Sequence, residues 1–290
     1  MPRDGLLLVD KPAGVTSHDV VNAARRALAE RRIGHAGTLD PFATGLLVLL
    51  VGRATRLLPY VSGDPKVYDA TVRFGTETET DDLHGAVARA AAPPREEAVR
   101  DAVDQFTGDL DQLPPAYSAK RVDGQRAYAL ARAGGTVVLA PARVRVDRWE
   151  LRAWRGATAD APAELDARIT CGPGTYIRAL ARDLGRAVAS AAHLVALRRA
   201  RSGAFDVADA VSLDALRAGA VALRPALDAV PEYVAQPLDA VDLRRVFAGI
   251  AVPAVAAGER AALTDAANGR LVAVAVRAGD RWQPRVVLHD

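Results

Sequence analysis

Asp40 is the carboxylate best placed for chemistry in this sequence. It sits in GHAGTLDPFATG (Gly34–Gly45), a stretch with three glycines, just ahead of the apolar run LLVLLV. Pro41 restricts the residue before it to extended conformations, which fixes the direction of Asp40. Glycines at 34, 37 and 45 let a ligand approach the backbone closely. A carboxylate held on such an edge can serve as nucleophile or base. The plain alternative is an Asx-turn residue before proline. By itself the residue leaves both open.

Tyr68 falls on the apolar face of an alternating segment, where a tyrosine is ordinarily core, but near its start, where a ring could project into a cleft. Tyr176 follows the tight turn CGPG and opens a helix, and its default reading is again core. Arg178 lies in that helix's first turn. A cation there opposes the helix dipole and calls for an anionic partner; a carboxylate held bidentately is a good candidate. His35 could be a capped loop histidine or a ring that stacks on bases.

Other chemistries are missing from the sequence. It has no GxxxxGKS or GxxxxGKT loop, no GxGxxG after a strand, no HExxH and no GxSxG. Five scattered histidines show no ligand spacing, and the single cysteine, Cys171, excludes a disulfide framework and a multi-cysteine zinc site. No metal or nucleotide cofactor is expected. No apolar run approaches the roughly 18 residues of a membrane span, and the start lacks a signal peptide, so a cytoplasmic protein is expected.

The elements that must position these residues follow from periodicity. The chain has 290 residues, 50% hydrophobic and 25% charged, about two domains. Gly5–Val9 reads as a strand, and Thr16/Ser17 can cap a helix running to Leu28. Lys66–Gly75 alternates, with Tyr68, Ala70, Val72 and Phe74 on one face. Residues 95–106 read as helix, as does part of Pro114–Gly134. Ala142–Ala153 and Leu165–Cys171 read as strands, and Thr175–Ala189 as a helix. This irregular interleaving favours an α+β sheet protein over a doubly wound βαβ fold. Three prolines within Pro225–Pro237 suggest a linker, after which NG and GD turns separate strand runs in a small β domain. The expected domains are 1–230 and 231–290.

The net charge is +3, and residues 231–290 are neutral, with seven basic and seven acidic side chains. Tyr176–Phe205 carries six arginines against one aspartate. That strip could be a solvated helix face or a phosphate-contacting surface. Only three lysines occur, Lys11, Lys66 and Lys120.

The motifs GLLLVDKPAGVTSHDVV, GHAGTLDPFATGLLVLLVGRATRL, KVYDATVRFG, PPAYSAKRVDGQRAYALARAG, CGPGTYIRALARDLG and LRRARSGAF occur in that order. Together they closely resemble the TruB family of bacterial tRNA pseudouridine synthases over residues 5–230. The C-terminal segment resembles, more loosely, the PUA-like RNA-binding domain of such enzymes. The resemblance implies a pseudouridine synthase fold and a cofactor-free isomerase acting on the T-loop uridine, position 55 in tRNA numbering. It implies Asp40 as nucleophile, Tyr68 stacking on the base and aiding deprotonation, and Arg178 pairing with the aspartate. It also implies His35 as a wedge in the T loop, Tyr176 and Leu197 as walls of the uridine pocket, and Lys11 and Pro12 as structural, with Lys11 packing against the catalytic loop. Arg121 stands where many members carry lysine, so charge is kept but not point-charge geometry. The expected partner is the tRNA T-stem-loop, with no membrane and no metal, and nothing demands more than a monomer. A guide-dependent synthase of the archaeal and eukaryotic type shares the catalytic blocks, but its lysine-rich tail is missing here. A non-catalytic RNA-folding protein is the alternative from another class.

Overall fold

A computed structural model describes residues 4–117, 121–122, 125–126 and 139–288. Lys120 and the helix expected in the last part of Pro114–Gly134 lie outside the described residues, and of Arg121 only the backbone is described. The chain forms two compact units. The first comprises Met1–Pro41, Gly45–Gly63 and Ala204–Asp290, and the second Phe42–Thr44 and Asp64–Gly203.

The first unit opens with β1 (Gly5–Lys11), helix α1 (Ser17–Leu28), β2 (Ile33–Ala36) and β3 (Thr44–Val51). The chain enters α1 through a capping box: the Thr16 hydroxyl accepts from the Asp19 N–H, and the Asp19 carboxylate accepts from the Thr16 N–H. β3 pairs antiparallel with both β1 and β2. Its LLVLLV run does not alternate because both faces are covered. Leu46, Val48 and Leu50 pack with Leu6 and Leu8. Leu47 and Leu49 pack with Leu7, Val9 and the apolar face of α1.

The second unit is an antiparallel sheet. Its elements are β4 (Lys66–Phe74), the hairpin β5 (Thr76–Thr78) and β6 (Val87–Ala90), α2 (Glu96–Val103) and β7 (Gly108–Gln112). Then come the two-residue strands β8 (Arg121–Val122) and β9 (Gln125–Arg126), β10 (Ala142–Arg155), β11 (Glu164–Cys171), α3 (Ile177–Ala187) and β12 (Ala192–Ser202). The strand order is β12-β4-β11-β10-β7. Tyr68, Ala70, Val72 and Phe74 form the buried face of β4, as the alternation predicts.

The first unit resumes with β13 (Phe205–Asp206), β14 (Val211–Ser212), which pairs parallel with β1, and the short helix α4 (Leu213–Arg217). It ends in β15 (Val234–Leu238), α5 (Ala240–Phe247), β16 (Val252–Pro253), β17 (Arg260–Asp265), β18 (Leu271–Ala278) and β19 (Arg281–Val287). These strands make a separate sheet in the order β15-β17-β18-β19-β16, and the NG and GD turns fall where expected. The supposed linker is only partly irregular. Ala229 and Val230 are buried, and Val234–Leu238 is a strand paired parallel with β17. Pro237 sits in that edge strand, a place where a missing N–H is tolerated.

Candidate active site

The loop carrying Asp40 is fixed on both sides of that residue. Before it, the buried Ser17 hydroxyl donates to the Leu39 carbonyl at 3.0 Å and accepts from the Leu39 N–H at 2.8 Å. After it, the Pro41 carbonyl accepts from the Gly14 N–H at 2.8 Å and from Lys11 Nζ at 3.3 Å. Lys11 is wholly buried, and its ammonium also donates to the carbonyls of Pro12 and Val15. A buried ammonium needs such acceptors, and here they tie β1 to the loop. Lys11 therefore does pack against this loop. Asp40 itself is half-buried. His35 lies on β2, in register with Leu49 of β3.

Tyr68, Tyr176, Arg178 and Leu197 belong to the second unit. β4 lies between β11 and β12, so Tyr68 is flanked by Ile169 and Arg199, and Ala70 by Ala167 and Leu197. Tyr68 and Leu197 are thus diagonal neighbours on one sheet face. The extra residue at Ala200 makes a β-bulge that keeps Leu197, Arg199 and Ser202 on that same buried face.

Tyr176 is the N-cap of α3. The buried Gln112 holds its backbone twice: Oε1 accepts from the Tyr176 N–H at 2.9 Å, and Nε2 donates to its carbonyl at 3.0 Å. Ser17 and Gln112 thus hold the backbone at Leu39 and at Tyr176. The sequence marks Ser17 only as a helix start, and no sequence signal marks Gln112.

Arg178 is buried in the first turn of α3. It donates to the carbonyls of Thr80 at 2.6 Å and Tyr117 at 2.9 Å, and Asp82 Oδ2 lies 3.8 Å away. The other oxygen of Asp82 accepts from the Thr80 hydroxyl and the His84 N–H. One turn on, Arg182 pairs with the buried Asp81 at 2.9 Å, and another turn on, Arg186 pairs with Glu77 at 2.7 Å. Arginines at i, i+4 and i+8 thus run as a ladder against the acidic stretch Glu77–Asp82. Arg178 and Arg182 are therefore buried structural cations, and Arg186, though ion-paired, stays exposed. Burial pushes the Asp81 carboxyl up to about 6 despite Arg182 and Arg178. Burial likewise pushes the Cys171 thiol up to about 12, so it remains a protonated core group.

Among the described residues, no group of three or more His, Cys, Asp or Glu side chains is arranged to hold a metal ion, and no helix is long and apolar enough to cross a membrane. The profile for TruB family pseudouridylate synthase, N terminal domain, matches residues 25–177, and that for the tRNA pseudouridylate synthase B C-terminal domain matches residues 178–241. The chain belongs to the TruB family. Curated relatives named tRNA pseudouridine synthase B include one from Arthrobacter sp. (strain FB24), 42% identical over 98% of this chain and 96% of its own. Another, from Thermobifida fusca (strain YX), is 44% identical over 98% of both chains. The TruB chain is also similar to a protein in an H/ACA ribonucleoprotein bound to a substrate RNA containing 2′-deoxyuridine. That match has a TM-score of 0.70 at 20% identity, over 99% of this chain and 85% of the other. An archaeal box H/ACA Nop10–Cbf5 complex gives 0.69 at 22%, over 98% and 86%. These likenesses establish the pseudouridine synthase fold. Membership of TruB makes the protein an isomerase.

Proposed function

We propose that this protein converts the T-loop uridine of tRNA, position 55 in tRNA numbering, to pseudouridine, with Asp40 as the ionised catalytic carboxylate. The observation that carries this reading is the double pinning of Leu39 and Pro41 around Asp40 in a TruB chain. Preorganising one carboxylate this tightly suits a reaction in which a misplacement of about 1 Å can cost about a hundredfold in rate.

The reaction breaks the N1–C1′ bond, turns the uracil and forms a C5–C1′ bond. The proton on C5 is lost and N1 gains one, so no redox partner is needed. The base first leaves its stack, at a cost of a few kcal/mol, for a pocket that stacks on it. Tyr68 and Leu197 supply that face, Tyr176 lines it, and His35 fills the space vacated in the loop. Asp40 attacks C1′, attacks C6 or stabilises an oxocarbenium-like sugar. Glycosidases show that a carboxylate can serve either as nucleophile or as stabiliser at an anomeric carbon. Arg178 serves as the guanidinium partner of Asp40 that the family resemblance implies, and Tyr68 assists removal of the C5 proton. The segment 231–290 serves as the PUA-like RNA-contacting part, and the enzyme works in the cytoplasm as a monomer without a cofactor.

The test is tritium release from C5-labelled, unmodified tRNA transcript, with mass spectrometry of the product. A transcript with the T-loop uridine replaced is the control. Wild type is expected to modify that one position, and Asp40→Asn to abolish turnover while retaining RNA binding. Normal pseudouridine yield from Asp40→Asn overturns the assigned role.

A further inference from the structure

Lys66 is a cation that the proposed chemistry leaves unused. It begins β4, two residues before Tyr68 and on the same face, a separation of about 6.8 Å along a strand. Its register partners are Cys171 on β11 and Ser202 on β12, both buried. The side chain is half-buried. Among the described residues no carboxylate pairs with its ammonium. The nearby Asp64 is taken up by Arg145 at 3.2 Å, and the Cys171 thiol is protonated and supplies no anion. Its close charged neighbour on this face is a like charge, Arg199, which is buried directly opposite Tyr68. Burial, and then Arg199, hold the Lys66 ammonium below the usual lysine range.

Two cations on one sheet face, one of them with no carboxylate of its own among the described residues, cost the folded chain stability. An arriving anion removes that cost. Beside an aromatic ring that stacks on a base, the arrangement is a stacking platform flanked by a backbone-tracking cation. We propose that Lys66 is a phosphate-contacting residue, its ammonium binding the RNA phosphodiester next to the base that stacks on Tyr68. The inference rests on the proposed RNA-modifying function and assigns a backbone contact to that same site. Lys66 fixes the position of the strand and carries no sequence information.

The experiment compares wild type, Lys66→Gln and Lys66→Arg on an unmodified T-arm transcript, by Kd across a salt series and by KM and kcat. Lys66→Gln is expected to raise Kd about tenfold, with little change in kcat. The slope of log Kd against log salt should fall by about 0.7 to 0.9, one phosphate's worth. Lys66→Arg should keep most of the affinity. A transcript series with one neutral methylphosphonate linkage at each position around the target locates the contact. At one linkage wild type should weaken to the level of Lys66→Gln, and Lys66→Gln should not weaken further. Because no carboxylate among the described residues pairs with the lysine, Lys66→Gln should melt at or above the wild-type temperature. A Lys66→Gln protein with wild-type Kd and salt slope overturns the inference. So does one whose loss of binding follows a lowered melting temperature. Wild type that binds the transcript but makes no pseudouridine overturns the function and leaves the Kd comparison to decide Lys66.

Discussion

The Ser17 hydroxyl grips Leu39 by both its backbone groups, as donor to the carbonyl and acceptor from the N–H. One side chain in the first turn of α1 therefore sets the residue next to Asp40. Ser17→Ala removes both bonds and leaves two buried backbone groups unsatisfied, at about 1 to 3 kcal/mol each at most. Turnover should drop about ten- to a hundredfold with KM changed less than threefold, since RNA contacts are untouched. Single-turnover kinetics check this, and Ser17→Thr, which keeps a hydroxyl, should recover part of the rate. Equal loss in kcat and in RNA affinity would count against a positioning role.

Arg178 is a fork and cannot be replaced by a point charge. Its two terminal nitrogens reach separate carbonyls, those of Thr80 and Tyr117, with Asp82 beside them. Lysine keeps the charge but cannot satisfy both directions. Arg178→Lys should lower kcat at least tenfold while changing RNA affinity less. It should also destabilise the fold by up to about 1 to 3 kcal/mol, because a half-buried carbonyl loses its donor. Thermal melts beside steady-state kinetics separate the two effects. A change in RNA affinity alone would remove Arg178 from the catalytic set.

The elements most legible in the sequence carry local signals. The helix start at Thr16/Ser17, the alternation of β4 and the NG and GD turns each produced the element expected. What escaped depends on contacts between distant residues. Gln112 meets Tyr176 only because β7 and the entry to α3 come together, and polar residues carry no periodicity that would show it. Arg182 and Arg186 carry no sequence sign of their partners, because Asp81 and Glu77 lie about a hundred positions away. Proline composition suggested a linker at Pro225–Pro237, but an edge strand accommodates Pro237.

The C-terminal sheet shares a core with the strands that begin the chain. Ala262, Leu271, Val274 and Leu288 pack in one cluster with Leu6, Leu8, Val48 and Leu50. Removing residues after Pro231 exposes those leucines, each worth about 1.5 to 3 kcal/mol when buried. The truncated protein should therefore melt roughly 10 °C or more below the full chain, and any rise in KM will be mixed with that loss. Calorimetry of the two chains checks this. Equal melting temperatures would show that the shared cluster contributes little.

Asp81 gives the stability of the second unit a pH dependence of defined sign. Its carboxyl, ordinarily at 3.8, is pushed up to about 6, chiefly by burial, which outweighs Arg182 and Arg178. In the unfolded chain it titrates near its ordinary value. From about pH 4 to about pH 6 the folded protein holds a proton that the unfolded chain has released. This group's contribution is therefore complete below about pH 4 and is lost as pH rises through about 6. Asp81→Asn removes the titration. The melting temperature of wild type minus that of Asp81→Asn should be most positive near pH 4 and shrink towards pH 7. A difference that grows with pH would mean that the Arg182 guanidinium, 2.9 Å away, outweighs burial and holds Asp81 ionised.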